Sequence, residues 1–176
     1  MSRLWDKGAP LDERVLRYTA GEDHRLDERL VAYDVRASVA HAEMLNACGL
    51  LGDDDVAAIR DGLVRLGESH AAGDWHIGLA DEDAHTALER RLTEAIGEAG
   101  GRVHLGRSRN DQVLAALRLY LKDAAAGLAA GAGSLAAALD RLAERQGEVE
   151  LPGYTHLQQA MPSSVALWAG GFAAAL

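Results

Sequence analysis

The stretch DQVLAALRLYLKDAAAGLAAGAGSLAAALDRLAERQ, residues 111–146, decides the fold. It contains no proline. Along it Leu114, Leu117, Leu121, Ala124, Leu128, Ala132, Leu135, Leu139 and Leu142 recur at steps of three and four. A mean step of about 3.5 residues is the period of a coiled coil or a long-helix bundle. A helix of about 35 residues is ~50 Å long, more than a globule of this size calls for. Such a seam needs long partner helices, and the preceding 110 residues offer only short ones. Gly127, Gly131 and Gly133 each weaken the helix by about 1 kcal/mol relative to alanine. Close approach of a neighbouring backbone would compensate; a helix broken in two is the alternative.

Upstream, residues 1–25 carry Trp5, Gly8, Pro10 and Gly21 with weak periodicity. They read as an irregular arm with one short helix near residues 12–18. Leu26, Leu30, Ala37, Ala40, Met44 and Cys48 predict a helix over 26–48, stopped by Gly49. Asp53-Asp54-Asp55 supplies an N-cap and first-turn acids for the next helix, whose buried stripe is Val56, Ile59, Leu63 and Leu66 and whose end is Gly73. A third helix starts near residues 81–83, buries Leu88, Leu92 and Ile96, and stops at the glycines of 97–101. Downstream of the long helix, Pro152-Gly153 predicts a turn and Pro162-Ser163-Ser164 a fresh helix start. That last helix runs through Trp168 and Phe172 to Leu176 with no cap or polar tail. Such an ending predicts the front part of a longer protein.

The 176 residues hold 18 Lys+Arg against 27 Asp+Glu, a net charge of −9. An acidic chain is a poor partner for nucleic acid or an anionic membrane surface. Hydrophobic residues at 48% and charged residues at 26% allow a packed core. Few aromatics and prolines beside abundant Ala and Leu favour helix. The expected fold is all-α: a small N-terminal helical domain over residues 1–106, then the start of a long-helix bundle over 107–176. The single cysteine, Cys48, forms no internal disulfide, and a reducing compartment is the default. With no signal-peptide core and no apolar run of about 20 residues, the chain reads as cytoplasmic.

Three polar clusters carry candidate chemistry. The first is His104-Leu105-Gly106-Arg107-Ser108-Arg109-Asn110-Asp111-Gln112, directly before the long helix. A helix N-terminus offers free N–H groups and partial positive charge, and the arginines, serine and asparagine add donors suited to carboxylates. The same residues equally suit a helix cap, Asn110 or Asp111, flanked by solvated arginines. The second cluster is Pro152-Gly153-Tyr154-Thr155-His156-Leu157-Gln158-Gln159. Its histidine is suited to proton transfer near neutral pH, and equally to an exposed turn. The third is Glu82-Asp83-Ala84-His85-Thr86-Ala87-Leu88-Glu89, where His85 and Glu89 stand one helical turn apart and can pair, or His85 can pack with Leu88 and Leu92. No His-x-x-x-His, cysteine pair, acidic metal loop, phosphate loop or dinucleotide fingerprint is present, so neither a metal nor a cofactor is expected.

These strings resemble the argininosuccinate lyases and the related delta crystallins of the fumarase/aspartase superfamily. HLGRSRNDQ at 104–112 resembles one signature segment, PGYTHLQ at 152–158 a second, and EDAHTALE at 82–89 a third, in the same order. Leu4-Trp5 and Ser38-Val39-Ala40-His41 are similar as well, so the resemblance covers essentially the whole chain. The GRSRND string separates this family from fumarases, aspartases and adenylosuccinate lyases. Leu105 departs from the pattern, which usually has threonine there.

The resemblance implies reversible β-elimination of argininosuccinate to arginine and fumarate in arginine biosynthesis, without a cofactor. It implies that Arg107, Ser108, Arg109, Asn110 and Thr155 bind the substrate, that His85 orients it, and that His156 is the catalytic histidine, either base or acid. Thr19 corresponds more loosely to a substrate-binding serine. The family's favoured base is a serine on a later loop, which would lie beyond residue 176, so this length alone is expected to be inactive. The family's active sites are shared between subunits of a homotetramer, in keeping with a seam that lacks an internal partner. A non-catalytic helical protein of crystallin type, or another lyase of the superfamily, would carry the same fold.

Overall fold

The computed structural model describes residues 12–176; the expectations for Trp5, Gly8 and Pro10 lie outside it. Asp12 caps the first helix, α1 (Glu13–Ala20), by accepting the Arg14 backbone N–H. The helix expected over 26–48 is divided. A short α2 (Asp23–Leu26) passes into a 3-10 turn (Asp27–Leu30) and then α3 (Val31–Ala47). The reason is tertiary. Asp27 accepts the Ala84 N–H at 3.2 Å and Glu28 the Ile77 N–H at 2.7 Å, so both acids of the tightened turn are engaged by distant backbone.

Gly49 ends α3 as expected. It sits at φ 73°, and the Leu50 N–H returns to the Leu45 carbonyl. α4 (Asp53–Ala72) has Gly52, not Asp53, as its N-cap; Asp53, Asp54 and Asp55 fill the first turn, where they complement the helix dipole. Gly73, at φ 83°, closes it. α5 (Ala84–Ile96) is capped by Asp83, which accepts the Thr86 N–H, and leads through a second 3-10 turn (Gly97–Arg102) to a bend.

α3, α4 and α5 enclose the core. Val31, Leu45, Ile59, Leu63, Leu88 and Leu92 meet there with almost no exposure. Gly62 lets α4 and α5 approach: a Cβ there would stand 2.6 Å from Leu92 Cδ1.

The stretch that decides the fold forms one unbroken helix, α6 (Arg109–Gln146). The chain divides into two compact units within it, after Tyr120. The boundary read from the sequence, at 106/107, falls just ahead of the helix. Gly127, Gly131 and Gly133 do not break α6, and among the described residues none faces a neighbouring backbone: a Cβ at each would meet nothing within 4 Å.

The second unit holds the remainder of α6, a β-hairpin and α7 (Val165–Ala173). The hairpin corrects two expectations. Pro152-Gly153 is no turn but part of β1 (Glu150–Thr155), and Pro162 starts no helix but belongs to β2 (Gln158–Ser164), opposite Pro152. A two-stranded ribbon has only edge strands, and edge strands tolerate proline. The register shifts between Pro152 and Tyr154, where a Cβ on Gly153 would collide with the Met161 carbonyl at 2.2 Å. Ser164 then caps α7 by accepting the Leu167 N–H. No described helix is long and apolar enough to cross a membrane.

Candidate functional site

The bend between the second 3-10 turn and α6 is built by a reciprocal cap. Ser108 Oγ accepts the Asp111 N–H at 3.4 Å, while Asp111 Oδ2 accepts the Ser108 N–H at 2.8 Å and its hydroxyl at 3.0 Å. Ser108, rather than Asn110 or Asp111, is thus the capping residue, with the acid three positions on. These bonds hold the Asp111 carboxyl below the usual carboxylate range. Asn110 lies exposed on the first turn, and its amide has no hydrogen bond among the described residues. The backbone N–H groups of Arg109 and Asn110 likewise find no acceptor there, so the helix start offers donors to solvent.

The two arginines are turned to internal use. Arg107 Nη2 donates to Ser38 Oγ at 3.1 Å and to the Val103 carbonyl at 3.2 Å. Arg109 donates through Nε to His85 Nε2 at 2.8 Å, and through Nη2 to Asp83 Oδ2 and to Thr86 Oγ1. The cap of α5 and the first residue of α6 are joined by one guanidinium.

His85 is buried, and its partner is Arg109 and not Glu89. Accepting from Arg109 leaves the hydrogen on Nδ1. Asp83 Oδ1 lies 3.3 Å from the same Nε2, a contact that would bond only a ring carrying a hydrogen on Nε2. Burial outweighs Asp83, and the Arg109 and Arg107 charges add to it, so the His85 pKa falls and the neutral ring is favoured. Glu89 instead stands 3.0 Å from His104 Nδ1.

Thr155 and His156 belong to the second unit. His156 (φ 49°) and Leu157 (φ 62°) form the tip of the β1–β2 hairpin between the paired Thr155 and Gln158. Two consecutive left-handed residues match a primed turn, which normally takes Asn-Gly or Gly-Gly. Here both are bulky and exposed, Leu157 at 96%, and the His156 ring has no hydrogen bond among the described residues. Thr19 lies at the end of α1 with its hydroxyl on the carbonyls of Val15 and Leu16. Among the described residues no three His, Cys, Asp or Glu side chains are grouped to hold a metal ion.

Sequence reasoning missed the roles of Asp83, Thr86 and Asp34. Asp83 is legible in hindsight as an acid three residues ahead of a threonine at a helix start. Asp34 is signalled by its position among Val31, Val35 and Ser38 on the buried face of α3.

A family model described as Lyase matches residues 12–176. The chain belongs to this lyase family. Its curated relatives include an argininosuccinate lyase of Sorangium cellulosum, 51% identical over 97% of this chain and 40% of the relative. Another, from Thermotoga neapolitana, is 41% identical over 99% of this chain and 44% of the relative. The lyase chain thus spans about two fifths of the length of these relatives. Among solved structures, a fumarate lyase:delta crystallin from Brucella melitensis matches with a TM-score of 0.72 at 19% identity, over 93% of this chain and 42% of that one. A fumarate lyase from Mesorhizobium matches at 0.59 and 22%, over 93% of this chain and 39% of that one. At such identities these structures speak for the helical fold alone.

Proposed function

We propose that this chain contributes substrate-binding and catalytic residues to an argininosuccinate lyase, which splits argininosuccinate into arginine and fumarate in arginine biosynthesis in the cytoplasm. The observation that carries the reading is the start of α6. Unused backbone N–H groups and the free Asn110 amide stand beside the Ser108 cap, and the bend they occupy is clamped to α5 through Arg109 and His85.

The reaction removes a proton from the carbon next to a carboxylate and then breaks the adjacent C–N bond. The enediolate-like carbanion is the costly species, and fixed donors aimed at its carboxylate lower that cost. The Asn110 amide and the free helix N–H groups supply such donors beside Ser108, whose own N–H and hydroxyl are held by Asp111, and Thr155 joins the binding group through the resemblance. Arg107 and Arg109 set the geometry of the bend and add positive field. His85 orients substrate as a neutral ring, and Thr19 joins the binding group through the looser correspondence. His156, held at a strained turn with its ring free, serves as acid or base.

The assembly is a homotetramer with active sites shared between subunits. Leu114, Leu121, Leu128 and Leu135 support this: they line α6 at intervals of seven residues and are 50%, 53%, 76% and 52% exposed. Gly127, Gly131 and Gly133 leave room for close approach on the same helix.

The test is fumarate release, followed by its ultraviolet absorbance, from argininosuccinate given to the protein expressed from its complete reading frame. His156→Asn should lower turnover by roughly 10²–10⁴-fold. Wild-type protein inert on argininosuccinate, or faster on adenylosuccinate, would remove the substrate assignment, and a fully active His156→Asn variant the catalytic one.

A further inference from the structure

One polar line runs along the inner face of α3. Asp34, Ser38 and His41 stand at positions i, i+4 and i+7, so they share a side of the helix. Ser38 Oγ donates to Asp34 Oδ1 at 3.0 Å and receives Arg107 Nη2 at 3.1 Å. His41 Nε2 meets the Leu105 carbonyl at 2.8 Å, and Arg107 also binds the Val103 carbonyl at 3.2 Å. Three alternate residues of the bend, 103, 105 and 107, are held through this line. Directly after them come the exposed Ser108 and Asn110.

The line is costly to keep. Asp34 and Ser38 are each 3% exposed, amid Val31, Val35, Ala42 and Leu45. Burial pushes the Asp34 carboxyl up to about 6 despite the Ser38 bond and the Arg107 charge. Asp83 at the start of α5 and Asp27 of the 3-10 turn push the same way. An uncharged side chain would suit the core at least as well as a buried carboxylate. What the carboxylate adds is a fixed negative end to the chain Arg107–Ser38–Asp34.

We propose that Asp34, Ser38 and His41 are positioning residues, which hold the Arg107 bend so that the free N–H groups of Arg109 and Asn110 and the Asn110 amide are presented in one orientation. The inference rests on the carboxylate-binding reading of that bend. Asp34 is its anionic anchor: neutralising it leaves the half-buried Arg107 guanidinium facing a neutral group and slackens the bend. The core, which gains from losing a buried charge, does not slacken with it.

The experiment is amide hydrogen exchange on the full 176-residue chain at pH 5 to 8, corrected for intrinsic rates, with thermal melts of the same samples. In the wild type, protection of residues 105–108 should rise with pH through a midpoint near 6, while α4 and α5 stay level. Asp34→Asn should exchange at least tenfold faster at 105–108 at pH 7.5, lose the midpoint, and melt no lower than wild type. Should that variant fail to fold, Ser38→Ala and the wild-type titration carry the same test. Unchanged exchange at 105–108 in the variants, a flat wild-type profile, or equal loosening of α4 and α5 would overturn the proposal. Exchange does not depend on turnover, so a protein inert on argininosuccinate would fail the lyase reading and leave this result standing.

Discussion

Leu63 of α4 is 1% exposed and Leu128 of α6 is 76% exposed, although each sits on a helix with a clear apolar period. The first unit folds its period inward: α3, α4 and α5 share a core, and Arg91, Arg107, Arg109 and His85 find partners within the unit. The second unit leaves Leu121, Leu128, Leu135, Leu157, Met161 and Leu167 more than half exposed. Exposed large apolar side chains that gather into a patch mark interaction surfaces. The same periodic signal therefore has two meanings. In one unit it describes contacts already made, and in the other it describes exposed side chains that the proposed assembly would cover.

The largest effect that tests this contrast is a matched truncation. Leu63→Ala should destabilise the chain by about 2–5 kcal/mol in denaturant unfolding, because it removes buried methyl groups and leaves a cavity. Leu128→Ala should change stability by less than about 0.5 kcal/mol in dilute solution, yet weaken self-association in sedimentation. Equal losses from both would mean that α6 already packs its seam within one chain.

A pH scan separates cost from gain inside the first unit. Asp34 has a folded pKa of about 6 against an ordinary value of 3.8, so the folded chain keeps a proton the unfolded chain gives up. Its contribution to stability is full below pH 3.8 and is lost as pH rises through 6, on the order of 3 kcal/mol. Glu28 runs the other way. Burial raises its pKa, but bonds from His70 and the Ile77 N–H outweigh that and lower it, so its contribution is lost as pH falls below 4.5. Unfolding measured against pH should find Asp34→Asn more stable than wild type at pH 7.5, with the gap closing by pH 4 to 5. A constant gap would mean that Asp34 does not titrate in this window.

Legibility followed the same division between local and distant causes. Helices were readable wherever an apolar stripe met a local stop, as at Gly49 and Gly73. The hairpin was not, because Pro152-Gly153 and Pro162 signal turns and helix starts unless the strands are known to be edges. Its tip carries none of the glycine or asparagine that marks a primed turn. At the site, the residues of the bend were legible but not what they touch. Nothing local tells that Arg107 reaches Ser38, 69 positions away, or that Arg109 reaches Asp83. Solvated arginine is the ordinary expectation, and only the fold overrides it.

Glycine exchange sharpens the contrast at smaller scale. Gly62→Ala places a Cβ 2.6 Å from Leu92 Cδ1, and should cost about 1–3 kcal/mol as Leu92 and Ile96 shift. Gly127→Ala meets nothing within 4 Å on an α6 helix, and should stabilise the isolated chain by about 0.5–1 kcal/mol. The helix former that favours the single chain would obstruct a close-packed neighbour. Greater thermal stability with weaker self-association is the expected pair of readings, and gain in both would exclude close approach at Gly127.

The hairpin tip gives the smallest effect and the sharpest argument. Leu157 holds φ 62° while 96% exposed, so it takes on backbone strain without burying anything in this chain. Leu157→Gly should relieve that strain and raise stability by about 0.5–1 kcal/mol in thermal unfolding. If the tip has a partner in the assembly, the same change should lower turnover of the assembled enzyme while the isolated chain becomes more stable. A glycine tolerated in both assays would show that the leucine has no partner and that the turn's strain has no use. A more stable chain with a slower enzyme would place Leu157, beside His156, among the surfaces the second unit holds open for another subunit.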